Sequence, residues 1–179
     1  MTINSKKTIG DFASKVNISS TLSMKLPEEV LEIEDYKLIT ETMDIVGKYR
    51  SATWIEDISL TEMSSDLMIL QSNQVTTMYR SSILTSLVDT IEDRLKIERS
   101  KVRVRVKEIK SEYEKEGNPV AITAEDTKDL SYAKTEELWS KYSEAKAASD
   151  FMKSMYFSLK DLVHMLNNTI QRISRVEHM

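Results

Sequence analysis

The stretch "ERSKVRVRVKEIKSEYEKEGN", residues 98–118, decides how the chain folds. Valines at 102, 104 and 106 alternate with basic residues, which is the pattern of a half-buried strand. The flanking residues read as helix. A longer window resolves the ambiguity. At about 100° per residue, Leu84, Val88, Ile91, Leu95, Val102, Val106, Ile109 and Tyr113 fall in one narrow stripe. A strand cannot hold that register over so long a run. The spacing therefore predicts one helix, starting at Ser64 or Ser65 and running to Glu116. Val104 falls nearly opposite the stripe with Ile97 close to it, which points to a further contact, such as one between subunits.

A helix of about fifty residues spans about 75 Å. It cannot bury its own stripe, so it needs a partner helix. Gly117 and Pro119, with Asn118 between them, are the only Gly and Pro after Gly47. Gly just past a helix and Pro beyond it form a stop signal. A second helix start follows, with Thr123 or Asp126 as its cap. Two rows with a seven-residue step come next. Leu138, Ala145, Met152, Leu159, Leu166 and Ile173 form one, and Tyr142, Ser149, Tyr156, Val163 and Ile170 form the other. Offset by four, they are the two seam positions of a left-handed coiled coil. Leu138, Tyr142, Met152, Tyr156, Leu159, Val163, Leu166 and Ile170 are thus the expected hairpin or oligomer interface. Phe151, Met155 and Leu162 widen the seam beyond what two strands need. Either another subunit or residues 27–60 would cover them.

The expected fold is all-α: a long antiparallel helical hairpin, a coiled coil, with shorter N-terminal helices, forming an oligomer. The domain reading is an arm over 1–26, an acidic helical segment over 27–63, and the hairpin over 64–179 with its turn at 117–122. Within the acidic segment, Pro27 occupies a favoured first-turn position, with Glu28 and Glu29 at the positive helix end. That helix is expected to reach Val46, before Gly47, and a short helix over 48–58 would bury Trp54 and Ile55. Residues 8–26, "TIGDFASKVNISSTLSMKL", carry part of a helix-turn-helix pattern, with Ala13 and a turn at Asn17. The other reading of this stretch is a tail or partner-binding arm.

The 179 residues are 30% charged and hold three Gly, two Pro and no Cys, a composition suited to long helices and without thiolate metal sites. No apolar run has the length of a membrane span or a secretory signal, so no membrane partner is expected, and the chain is read as cytoplasmic. Three isolated glycines cannot build a phosphate loop. His164 and His178 are too sparse for a metal site. Tyr156 and Lys160 have an oxidoreductase-like spacing but no dinucleotide fingerprint. No nucleophile and base come together, so the chain is read as not an enzyme, with no cofactor or metal.

Charge carries more information. Residues 27–66 hold eleven acids against three bases, whereas residues 94–110 hold eight bases against two acids. Arg94, Lys101 and Arg105 flank one side of the apolar stripe. Lys96, Arg99, Arg103, Lys107 and Lys110 flank the other. Such residues can cover a coiled-coil seam and pair with acids of a partner helix, here Glu137, Glu144 and Asp150. They can equally bind phosphates, with Arg forking onto the oxygens and stacking on bases. All eight are therefore the candidate nucleic-acid-binding set. The acids of 27–66 are either a solvated face or a competitor for the same bases.

The segments "LQSNQVTTMYRSS" (70–82), "RLKIERSKVRVRVKEIKSEY" (94–113), the Gly-containing turn and "SKYSEAKAASDFMKSMYFSLKDLVHMLNNTIQRI" (140–173) resemble the phage recombination mediator family, the UvsY-like proteins, over roughly residues 70–175. The resemblance implies a helical protomer in a ring-like homo-oligomer that binds single-stranded DNA. It also implies help in loading a recombinase onto strands coated by single-strand-binding protein, in the cytoplasm of a host bacterium. The family's basic pair would fall on Arg105 and Lys107. Two other functions fit the residues: a structural coiled-coil assembly protein, such as a phage scaffold or virion component, and a small DNA-binding regulator using residues 8–26.

Overall fold

The computed structural model describes residues 30–51, 58–117 and 119–177. It is all-α. Four helices make up the described chain: α1 (Ile33–Ser51), α2 (Leu60–Lys115), α3 (Ala124–Ala133) and α4 (Glu136–Glu177). The valine alternation at 102–106 lies in the middle of α2. The helix-turn-helix reading of 8–26 and the burial expected for Trp54 and Ile55 fall outside the described residues.

The simple hairpin is not what forms. The four helices make a bundle in which α1 joins the packing of the two long helices and α3 stands between them in sequence. Contacts divide the chain into two compact units. One contains residues 89–117 and 119–143, and the other contains 30–51, 58–88 and 144–177.

In the second of these units α1 begins after Glu32, whose backbone N–H donates to Asp35 Oδ2 at 2.8 Å. The carboxylate satisfies a first-turn donor that has no helical partner. The helix does not stop at Val46: it continues through Gly47 to Ser51, with Lys48 and Arg50 at its negative end. A lone glycine costs helix stability but does not end a helix that packs. The next start is also earlier than expected. Ser59 Oγ accepts from the backbone N–H of Glu62 at 3.2 Å and caps α2. Ser64 lies inside the helix, its hydroxyl donating to Leu60 O.

Leu38 and Tyr49 of α1, Met63 and Leu70 of α2, and Met155, Leu159 and Leu166 of α4 form the core of this unit. Leu162 packs against the same cluster. Met155 and Leu162 thus lie in one cluster with residues of α1 and α2, while Phe151 stays 45% exposed. Along α2 the row Met63, Leu70, Thr77, Leu84 is buried at every seventh residue. Thr77 keeps its place by donating its hydroxyl to Asn73 O within its own helix. Farther along, Thr85 and Ser149 approach at 3.1 Å beside the buried Ala145 and Ala148. Small side chains there allow close helix contact.

A polar ladder joins α1 to α2. Positions 35, 42 and 49 of α1 meet positions 80, 73 and 66 of α2. Arg80 donates to Asp35, Asn73 donates to Thr42 at 3.2 Å, and Tyr49 donates to Asp66 at 2.9 Å. Seven-residue steps taken in opposite directions are what an antiparallel helix pair requires.

The other unit packs Val102, Val106, Ile109 and Tyr113 of α2 against Val120, Ile122 and Leu130. α2 ends at a turn where Gly117 has φ +74°, a left-handed conformation that suits a residue without Cβ. Thr123 then caps α3. Its Oγ1 accepts from the backbone N–H of Asp126, and the Asp126 carboxylate accepts from the backbone N–H of Thr123. The expected start at Thr123 is therefore met, but the helix lasts only to Ala133. Thr135 turns its hydroxyl back onto Ser131 O at 2.9 Å, and Trp139 N–H donates to Thr135 O as α4 begins. The chain thus passes from α3 to α4 through Lys134 and Thr135 without Gly or Pro.

Candidate nucleic-acid interface

The basic residues of 94–110 are set by one helix, so their spacing is fixed and their differences come from neighbours. On the first flank, Lys101 pairs with Glu98 at 2.9 Å, and Arg105 pairs with Glu108 at 3.0 Å and Glu112 at 3.5 Å. On the second flank, Lys96 pairs with Glu92 at 2.9 Å and Asp93 at 3.2 Å. All of these are pairs along α2 itself. The sequence reading expected partners across the helix interface, but Glu137 and Asp150 form no ion pair among the described residues. Residues three or four apart on a helix are neighbours, so the shorter reach wins. The bonds to Glu92 and Asp93 raise the Lys96 pKa, and the bond to Glu108 raises that of Arg105. Being exposed, these pairs are weak and screened by salt.

Arg103 and Lys107 differ. Both are exposed, and among the described residues neither has a carboxylate within the 4.0 Å of an ion pair. Lys110, partly buried in the same row, has none either. Arg94 has interacting neighbours. Three acids of the N-terminal segment are engaged elsewhere: Glu32 and Asp35 hold Arg80, and Glu41 accepts from Asn73.

Arg99 has a third environment, which periodicity alone did not reveal. Its guanidinium carbon lies 4.2 Å from the Tyr132 ring centroid and 5.3 Å from that of Trp139. Nε donates to Thr135 Oγ1 at 3.3 Å, and Nη2 is buried without a hydrogen-bond acceptor. Trp139 in turn stacks on Tyr142, with centroids 5.2 Å apart and planes inclined by 25°. Cation–π attraction offsets part of the cost of the orphaned donor. Tyr132 and Trp139 remain 46% and 47% exposed. Their seven-residue separation was visible in the sequence. The break at 134–135, which changes their relation to Arg99, was not.

The residues expected at the hairpin or oligomer interface are packed within the chain to different degrees. Met152, Leu159 and Leu166 are fully buried, and Leu138, Tyr142, Tyr156, Val163 and Ile170 are partly buried. Ile97 and Val104, opposite the buried stripe, are 54% and 53% exposed. His164 lies on the surface of α4 beside Asn168, at 3.1 Å. Among the described residues no cluster of potential metal ligands occurs, and no helix is long and apolar enough to cross a membrane. Comparison with protein-family models, with curated proteins and with solved structures finds no match to this chain.

Proposed function

We propose that the chain is an oligomeric, non-catalytic protein that binds single-stranded DNA. In this reading it acts as a recombination mediator of the kind its sequence resembles, assisting a recombinase onto strands coated by single-strand-binding protein in a bacterial cytoplasm. One observation carries the reading: Arg103 and Lys107 stand exposed on one helix row with no carboxylate partner, whereas Lys96, Lys101 and Arg105 of the same stretch each have one. Four residues of helix separate Arg103 from Lys107, about 6 Å along the axis. Such cations can displace counterions from a phosphate backbone without first breaking an ion pair. The pair implied by the family resemblance, Arg105 and Lys107, changes accordingly: Arg105 is engaged by Glu108 and Glu112, and Arg103 takes its place.

The test is the affinity for a labelled oligodeoxythymidylate as a function of salt. Replacing Arg103 and Lys107 together by Ala lowers affinity about tenfold or more and flattens the log–log salt slope by about 1.4, the contribution of two single-strand phosphate contacts. Far-ultraviolet circular dichroism stays unchanged, because neither side chain packs in the core. Equal affinity in wild type and double variant rejects the site.

A second reading is favoured by Ile97 and Val104, half exposed and seven residues apart on α2. Here the chain is a structural assembly protein that buries this face against another copy and binds no nucleic acid. Val104→Glu then dissociates the assembly in sedimentation experiments, and oligodeoxythymidylate does not bind the wild-type protein at any salt.

A further inference from the structure

We infer that Tyr132 and Trp139 form a stacking ledge for a nucleobase, so that the site takes a strand with unpaired bases rather than any polyanion. This rests on the nucleic-acid reading above and adds the part of the ligand that phosphate contacts leave unread. Three observations meet in one unit of the fold. Two large aromatic side chains are held about half exposed, although apolar residues of the same unit such as Val102 and Ile109 are fully buried. The Arg99 guanidinium lies against both rings, and its buried Nη2 has no acceptor, so a positive charge sits beside the ledge. Lys128 adds a second cation, its Nζ 6.0 Å from the Tyr132 centroid.

The ligand chemistry follows from that combination. A flat electron-rich ring can stack on Tyr132 or Trp139, and its attached anion is drawn by the cations around it. Arg103, one helical turn from Arg99 on the same row, is free to take a phosphate. Aromatic stacking platforms beside a basic track are how single strands are held without sequence preference, because every base has a π-face. Duplex DNA, with its bases stacked inside, presents no such face. Arg99 itself is a positioning residue: its Nε bond to Thr135 and its contact with both rings fix the ledge at the α3–α4 junction.

The experiment uses the full chain with Trp54→Phe, which leaves Trp139 as the only tryptophan. Oligodeoxythymidylate and inorganic polyphosphate are titrated separately at one salt concentration. Binding of each is followed independently by competition against a labelled strand. The expected result is quenching of Trp139 emission by oligodeoxythymidylate and none by polyphosphate at equal occupancy. Trp139→Leu, which keeps an apolar side chain at the junction, lowers oligodeoxythymidylate affinity about tenfold, and Trp139→Phe restores most of it. Polyphosphate affinity does not change in either variant. Binding of both ligands with no selective quenching, and with full affinity retained in Trp139→Leu, overturns the ledge while leaving the phosphate row intact. Failure of both ligands to bind overturns the nucleic-acid reading and the ledge with it.

Discussion

Asp35 and Arg80 form a two-pronged ion pair between α1 and α2, with Arg80 Nε 2.7 Å from Asp35 Oδ1 and Nη2 on the other oxygen. Asp35 is 2% exposed, and its carboxylate also accepts from the backbone N–H of Glu32. One side chain thus starts α1 and anchors it. The hydrogen bond from Arg80 to Asp35 raises the guanidinium pKa further. Arg80→Ala leaves a buried carboxylate without its cation and is expected to cost about 3 kcal/mol in urea unfolding. Arg80→Met combined with Asp35→Leu recovers most of that loss. A single variant as stable as wild type would show that the pair does not anchor α1.

Gly47 and Gly117 respond to alanine in opposite directions. Gly47 is inside α1, and a Cβ added there meets nothing within 4 Å. Gly47→Ala therefore raises stability by about 0.5–1 kcal/mol through reduced chain entropy and better helix propensity. Gly117 has equal space but φ +74°, so Gly117→Ala lowers stability by about 1 kcal/mol. Thermal melts of the two variants should move to opposite sides of wild type.

Alkaline pH should loosen the joint between α1 and α2 at Tyr49 and Lys48. Burial first, then the hydrogen bond to Asp66, holds the Tyr49 phenol above its ordinary value of 10.0. Burial alone would lower Lys48, but its hydrogen bonds to Asp66 and Glu62 and their charges win, keeping it above the ordinary 10.5. Both groups bind their protons more tightly in the folded chain. Their contribution is complete below pH 10.0 and is lost as pH rises through the higher folded values. Denaturant stability of Tyr49→Phe should accordingly fall less steeply above pH 10.0 than that of wild type. Parallel curves would remove this joint from the account.

Leu159 and Phe157 test where α4 is anchored. Leu159 is completely buried among residues of three helices, and Leu159→Ala should cost about 2–5 kcal/mol. Phe157 is 60% exposed with an edge contact to Tyr156. Phe157→Ala should change stability by less than about 0.5 kcal/mol. Comparable losses at both positions would mean that Phe157 is covered in solution by another copy of the chain.

The repeat that made α2 helical was open to reading because burial of Leu84, Ile91, Leu95, Val102 and Val106 recurs at helical spacing. The same rule missed the start of that row, where Met63, Leu70 and Thr77 are equally buried. Threonine looks polar in a sequence but spends its hydroxyl on its own backbone when packed, as Thr77 does on Asn73 O. The heptad residues Met152, Leu159 and Leu166 were legible for the same reason as those of α2, although nothing in their spacing shows which helices they meet. The basic row was legible as well, but not the fates of its members. Lys96 and Arg105 hold acids three and four residues away, Arg99 holds two rings, and Arg103 holds none of these.

Local forces along the chain were sufficient to determine helix type, the stop at Gly117 and the cap at Thr123, since each involves atoms within about one turn. The tertiary structure decided the rest: the antiparallel joining of Asp35, Thr42 and Tyr49 to Arg80, Asn73 and Asp66, the break between α3 and α4, and the contact of Arg99 with Tyr132 and Trp139. Those contacts bring together residues 17 to 45 positions apart in each helix pair of the ladder, and 33 to 40 apart around Arg99. Their free energy exists only when the backbone has already folded back, and no periodicity of a single helix encodes it.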